Sequence, residues 1–341
     1  MISLITLSEP IRALPSDLWF MPFIPLVVFC VLLMYETCNP RDNIPSKQIK
    51  QSYKTNLKMF TTNSLLTTAL SSSAFLFLLN PSIGWGILSA IPNFTLKAVL
   101  SCFILDIFLY YWHMLCHKLD YLWMFHKVHH NDSNINVSTA FRLHFLELFV
   151  TNVFKTILII TAGIDQIVVI FHEILTTLFV LFHHSNISFK GEKYLSQLFI
   201  TPYLHRTHHS AERIEHDSNY GAVFSIWDRL CGTLLHTNSK TIGIKGYSPQ
   251  TFLKLLKFGV TAPKLIPIYP VPLDDMIAVA AYYKAEQRGF GQGNDQKDWY
   301  EAQQEVLKMA YRSKYQPRNK IFNYFVSIIN TIETHTKRIY I

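Results

Sequence analysis

Apolar residues in this chain are gathered into long blocks rather than spread evenly along it. Leu18 to Tyr35, "LWFMPFIPLVVFCVLLMY", contains no charged residue, and about 18 to 20 apolar residues suffice for a helix to cross a hydrocarbon core about 30 Å thick. A second block runs from Leu65 to Ile91, interrupted by "NPSIGWG", and a third from Leu96 to Trp112. The fourth, Phe145 to Phe182, is 38 residues long. As one helix it would measure about 57 Å, nearly twice a single crossing. The pattern therefore predicts a hairpin that turns at "AGID", Ala162 to Asp165, where a glycine can end the first helix.

From these blocks we expect an all-α, multi-pass helical membrane bundle of about 4–6 spans, with a histidine-rich helical cap on the cytoplasmic face. Three regions are expected: membrane spans with a basic loop over 1–94, a catalytic core over 95–244, and a C-terminal amphipathic and soluble helical region over 245–341. In the last, "YSPQTFLKLLKF" reads as an interfacial amphipathic helix. The start, "MISLITLSEPIRALPSD", has an acidic residue and no small-residue cleavage pattern, so an uncleaved anchor is expected.

Charge then gives a direction. The polar stretch 36–60 carries Arg41, Lys47, Lys50, Lys54 and Lys58, which the positive-inside rule assigns to the cytoplasm. The formal charge of +8 fits anionic headgroups beside such segments better than it fits nucleic acid. The five cysteines form no CxxC pair, so neither a disulfide framework nor a thiolate zinc site is indicated. A hairpin over 145–182 returns the chain to the side it left, bringing the polar segments before and after it to one membrane face.

Those two segments hold the chemistry. Of fifteen histidines, thirteen lie between 113 and 216. His113 and His117 are at i and i+4. His126, His129 and His130 follow i, i+3, i+4, and His205, His208 and His209 repeat that spacing, so on helices each set converges. Packing so many rings without a metal would leave buried nitrogens unsatisfied. Eight imidazoles exceed the four ligands of one zinc, so two metals are expected, and imidazole alone does not choose among zinc, copper, iron and nickel. A bimetal site at the ends of membrane helices is placed to meet the C–H bonds of lipid tails.

The blocks HxxxH (113, 117), HxxHH (126, 129, 130), "FHHSNI", "TPYLHRTHHS", "HDSNYG" and "WDRLCGT", in this order over residues 95 to 236, resemble the fatty acid hydroxylase and sterol desaturase superfamily, especially its bacterial sterol-desaturase-like members. The resemblance implies a membrane-bound oxidoreductase with a non-haem di-iron centre that activates O2 and hydroxylates or desaturates a lipid. It implies metal ligands at His113, His117, His126, His129, His130, His184, His205, His208 and His209, with His144 of "FRLHFLE" as a further ligand or supporting group. Asp106, Glu147, Asp217 and Asn219 are the amide and carboxylate groups expected to orient ligand imidazoles, and His183 is expected beside the ligands rather than among them. Neither a dinucleotide fingerprint nor a fused haem module is visible, so electrons are expected from a separate reductase system through a cytochrome b5 or ferredoxin type protein. The bacterial inner membrane or the endoplasmic reticulum would suit such an enzyme. Two rivals follow from the same histidines: a membrane zinc hydrolase, although HExxH is absent, and a histidine-lined metal transporter, although the histidines cluster at span ends.

Overall fold

The computed structural model describes residues 20–78, 86–239, 241–246, 248–261, 273–291 and 293–313. Among them it contains helices and two isolated β-bridges but no strand. Residues Met21–Phe23 form a 3-10 turn leading into α1, Ile24–Cys38. At 1.5 Å per residue α1 is about 22 Å long, short of a full crossing. The stretch expected as a basic loop is instead mostly helix, the first part of α2, Ser46–Leu78. Its lysines 47, 50, 54 and 58 are exposed, while Ser52, Thr55, Asn56, Met59 and Asn63 are buried. Both sets recur every three or four positions, so one helix carries a solvated face and a packed face.

Three helices are long and apolar enough to cross a membrane: α3, Phe94–Lys118; α5, Phe145–Ala162; and α6, Gln166–His184. α5 and α6 form the hairpin expected from the fourth block, with the turn at Gly163 in the left-handed region, φ 72°. The turn is held by a close backbone approach. A Cβ added to Gly86, where φ is 155°, would stand 2.5 Å from the Cα of Gly163, so neither position has room for a side chain. Leu88, Leu105, Ile159, Ala162, Ile164 and Val168 complete the packing at this end. The expected count of 4–6 spans is not reached by length and composition: three helices qualify among the described residues, beside the shorter α1.

At the opposite end of α3 and α6 lie the short helices α4, Asp120–His130; α7, Glu192–Leu195; α8, Pro202–His208; and α9, Arg213–His216, while Trp227 of α10, Ile226–Cys231, meets Phe103 and Asp106 in the middle of α3. Two buried carboxylates tie this end together. Oε2 of Glu36 accepts from the backbone N–H of Val137 at 2.9 Å and of Asn186 at 2.8 Å. Oδ2 of Asp132 accepts from Ser52, Asn56 and Thr139 at 2.8, 3.1 and 2.8 Å, and lies 3.4 Å from Nε of the fully buried Arg142.

The "YSPQTFLKLLKF" segment holds α11, Phe252–Phe258. One face of it is packed, Leu255 and Phe258 being buried against Met59 and Val128, while Leu253 is exposed. The compact unit containing all the helices above except the end of α10 extends to Pro263, beyond the composition change at 245. A second unit contains α12, Leu273–Gln287, and α13, Asp295–Ser313, which pair through Ile277, Ala302 and Val306. The chain start, most of "NPSIGWG" and His335 lie outside the described residues.

Candidate metal centre

Nine of the expected histidines fall into two groups whose ligand atoms lie within 4.8 Å of one another. One group is His113, His117, His126, His130 and His208; the other is His129, His184, His205 and His209. The two HxxHH sets are divided between the groups in opposite senses. In α4, His126 and His130 face the first group and His129 the second. In α8 and the residue after it, His205 and His209 face the second and His208 the first. Residues four apart project within about 40° of each other, whereas the third of each set projects about 60–100° to the side, so each short helix contributes to both groups. α3 adds the i, i+4 pair His113 and His117 to the first group. α6 adds only His184 to the second, and the residue four before it is Val180.

The hydrogen bonds of the outer nitrogens fix which ring atoms face inward. His113 Nδ1–H donates to the carbonyl of Tyr220 at 2.8 Å, and His126 Nδ1 meets Oε1 of Glu147 at 2.6 Å. Both Nε2 atoms are then lone-pair acceptors, yet they stand 3.1 Å apart. In the second group His184 Nδ1–H donates to the Val180 carbonyl at 2.7 Å. Its Nε2 is 3.0 Å from that of His129 and 2.9 Å from that of His205, and His209 Nε2 is 3.1 Å from both. Facing lone pairs repel unless a cation lies between them. Nitrogens 2.0–2.1 Å from one ion and at right angles would be about 2.9 Å apart, so the donor set fits two first-row transition ions.

Burial keeps these rings neutral, as ligands must be. The pKa values of His129, His130, His205, His208 and His209 are all held well below 6.5, first by desolvation and then by the neighbouring imidazoles. His117 and His208 each present a buried Nε2 with no protein partner. Their Nδ1 atoms lie 3.4 Å from Oδ1 of Asp217 and 2.7 Å from the Ser218 carbonyl.

The supporting residues divide. Glu147 and Asp217 stand against imidazoles of the first group. Asn219 touches none. Its amide donates to the carbonyls of Leu204 and Leu235, and its backbone has φ 53°. It shapes the turn whose flanking carbonyls, Ser218 and Tyr220, hold His208 and His113. Asp228 of "WDRLCGT" fixes the same turn by accepting from the N–H groups of Tyr220 and Gly221 at 2.8 and 2.9 Å. Asp106 accepts from the indole of Trp227 at 2.5 Å and from no histidine. His144 is not brought into either group. Its Nδ1 caps α5 by accepting from Leu146 N at 3.3 Å, and its Nε2 lies 3.2 Å from the Leu256 carbonyl. A Cβ at Gly259 would clash with that ring.

His183 stacks on His205 with ring centroids 3.9 Å apart. His172 is buried within α6 and His236 stacks on Tyr203. One residue escaped the sequence reading: His216, whose Nδ1–H donates to the Ser210 carbonyl at 3.0 Å and which groups with His117 and Asp217. Its only signal is its place at the head of "HDSNYG". The supporting carbonyls of Val180, Ser218 and Tyr220 carry no sequence signal, since every residue has one.

Residues 98–233, which hold all nine histidines, match the fatty acid hydroxylase family. This region is similar to a fatty acid hydroxylase domain. The region is similar to an ornithine lipid hydroxylase of Rhizobium tropici, 32% identical over 163 residues, or 47% of this chain and 49% of that protein. It is also similar to the alkylglycerol monooxygenase of Homo sapiens, 31% identical over 39% of this chain and 29% of that protein. A third relative is the cholesterol 25-hydroxylase of Homo sapiens, 28% identical over 41% of this chain and 52% of that protein. The chain thus spans about half or less of each of these relatives. Outside that region, residues 272–308, which include α12, match a family described only as a protein of unknown function, DUF2934. No solved structure matches the chain.

Proposed function

We propose that the protein is a membrane-bound di-iron monooxygenase that hydroxylates a lipid, using O2 and electrons from a separate cytochrome b5 or ferredoxin type donor. The observation that carries this reading is the two-group convergence of nine histidines, with lone pairs facing one another at 2.9–3.1 Å. Relatives named as hydroxylases and monooxygenases favour oxygen insertion over desaturation. His113, His117, His126, His130 and His208 would hold one ion and His129, His184, His205 and His209 the other. When bound, the ions supply the O2 activation and electron storage that side chains cannot.

The protein's own part is positional. Glu147 and Asp217 keep the Nδ1 protons of His126 and His117, so that Nε2 points inward. The Ser218 and Tyr220 carbonyls do the same for His208 and His113. Of the nine histidines His113 alone is a partly rather than fully buried residue, which makes its side the substrate's approach. The other eight are shielded from water, which limits proton leakage and side reactions. The reaction inserts one atom of O2 into a C–H bond and reduces the other to water with two electrons and two protons. Protein reconstituted with ferrous iron is expected to bind two irons and add the mass of one oxygen to a lipid. His129→Ala and His208→Ala are expected to insert into the membrane but lose metal. Full metal occupancy in both variants, or lipid cleavage by the zinc-loaded protein without O2 consumption, would defeat the reading.

A further inference from the structure

The oxygenase reading requires electrons from another protein, and resting on that reading, the surface of α2 offers a place for them to enter. In the first half of α2, Lys47, Lys50, Lys54 and Lys58 are exposed. With 3.6 residues per turn they fall within an arc of about 80° and span about 16 Å of helix. They form one stripe. α2 contains no acidic residue. Among the described residues, the lysines in ion pairs are Lys97, Lys118, Lys155, Lys245 and Lys284, so the charge of the stripe is not neutralised within the protein. α11 lies beside α2, tied to it by Gln51 and Thr55, which donate to the Gln250 carbonyl at 3.3 and 2.9 Å. It adds the exposed Lys254 and Lys257, and residues 248–261 contain no acidic residue either.

The packed face of the same helix reaches both histidine groups. Ser52 and Asn56 donate to Oδ2 of Asp132, which lies two residues after His130 of the first group and three after His129 of the second. Met59 packs with Val128, the residue before His129. The width of one helix, about 10–12 Å with its side chains, separates the lysine stripe from the end of α4 where the two groups diverge. Electron transfer weakens steeply with distance, so a donor seated on this stripe is close to both groups at once.

Depth distinguishes a protein partner from the membrane surface. Asn63 donates to the Leu143 carbonyl at 2.8 Å, two residues before α5 begins, so α2 meets the level of the apolar layer near residue 63. Along the helix Lys58 is then about 8 Å from that level, Lys50 about 20 Å and Lys47 about 24 Å. A headgroup layer is about 5–8 Å thick, and salt screens its charge within about 8 Å more. At an average tilt of about 20°, Lys58 meets headgroups while Lys47 and Lys50 stand beyond their reach.

We propose that the lysine stripe of α2, with its neighbours on α11, is the docking surface of an acidic one-electron donor protein. Each encounter passes one electron inward and leaves the donor oxidised by one electron. Two encounters supply the two electrons that one oxygen insertion consumes. Encounters between electron-transfer proteins bury little surface, under about 1,200 Å² in total, and charge steers them, which suits a stripe this narrow.

The test uses the full-length protein in nanodiscs, with and without metal, and an acidic plant-type [2Fe–2S] ferredoxin as the probe. Acetylation of surface amines is followed lysine by lysine by mass spectrometry. Ferredoxin is expected to protect Lys47, Lys50 and Lys54 whether or not metal is bound, and to leave the exposed Lys190 and Lys193 reactive. Phosphatidylserine in the disc, without ferredoxin, should leave Lys47 and Lys50 as reactive as phosphatidylcholine does. Lys50→Glu combined with Lys54→Glu should weaken ferredoxin binding at least about tenfold at about 50 mM salt, as should about 500 mM salt with the unaltered protein. Lys190→Glu combined with Lys193→Glu makes the same change in net charge and should alter binding less than about twofold. Both double variants should keep their metals, which shows that they fold. A stripe left unprotected by ferredoxin, protection by phosphatidylserine alone, or equal weakening by both double variants would overturn the proposal. Footprint and binding need no turnover, so the two readings fail separately. If ferredoxin docks on the stripe but its reduced form gives no electrons to the metal-loaded protein under O2, the oxygenase reading falls and the docking surface stands. If reduced ferredoxin supports oxygen insertion equally well in the Lys50→Glu, Lys54→Glu protein, the oxygenase reading stands and the docking surface falls.

Discussion

Glu147 meets the Nδ1 of His126 at 2.6 Å, and groups in this position set both the tautomer and the basicity of a ligating imidazole. Glu147→Gln is therefore expected to weaken metal binding at the five-histidine group by about 10–100-fold, measured by chelator competition. Asp106→Asn, although Asp106 is as deeply buried, should leave metal affinity unchanged because its partner is Trp227. Acid should act on the metal-free centre through the same rings. His129, His130, His205, His208 and His209 have folded pKa values well below 6.5. Below about pH 6.5 the unfolded chain thus binds more protons than the folded one, and stability falls as pH falls. The melting temperature of apoprotein should be flat above neutrality and drop continuously on acidification, and a melting curve indifferent to pH between 7 and 5 would contradict this. The convergence of the nine histidines was legible in the sequence because spacing at i, i+3, i+4 depends on residue type, and Glu147 and Asp217 stand beside them as expected, whereas Asp106 does not. His144 was not distinguishable, since a cap and a ligand present the same imidazole, and only the packing of Gly259 against its ring separates them.

α4 and α8 are each shared between both histidine groups, whereas α3 serves one and α6 the other. Because Val180 stands four residues before His184, where α3 has a second histidine, the second group has four nitrogens to the first group's five. Stepwise chelation should therefore remove one ion before the other. Val180→His should make the two losses coincide, and a single release step in the unaltered protein would argue against the inequality. The α5–α6 hairpin was readable from its 38-residue length, but the reason its turn must be glycine was not. That reason is a backbone contact with Gly86, 77 residues earlier in the chain. Gly163→Ala combines a positive φ with a Cβ placed 2.7 Å from Ser89 Oγ. It is expected to lower stability by about 1–2 kcal/mol, checked by thermal denaturation in detergent. α2 was misread for the opposite reason: a helix with a lysine face resembles a solvated loop until its buried Asn56 and Met59 are seen to have partners.

For the whole molecule, the lysine face of α2 and the histidine groups are expected on the cytoplasmic side, with the α5–α6 turn near the other surface. Cysteines placed at the exposed positions Lys50, Ile214 and Gln166 in a cysteine-free background should label from the cytoplasm, from the cytoplasm and from outside, respectively. Opposite labelling at 50 and 214 would break the shared face.

The interleaving of α4 and α8 also sets an order of events during synthesis. Every residue of the first group except His208 is made before the α5–α6 hairpin, and three of the four residues of the second come at its very end or after it. Neither set of ligands is complete until His208 and His209 have left the ribosome, some 25 residues after the hairpin has been translated. A nascent chain therefore completes neither histidine group before the α5–α6 hairpin has been synthesised. Arrested chains ending at Thr201 should take up neither ion, whereas chains extended far enough for residue 209 to clear the exit tunnel should take up both together.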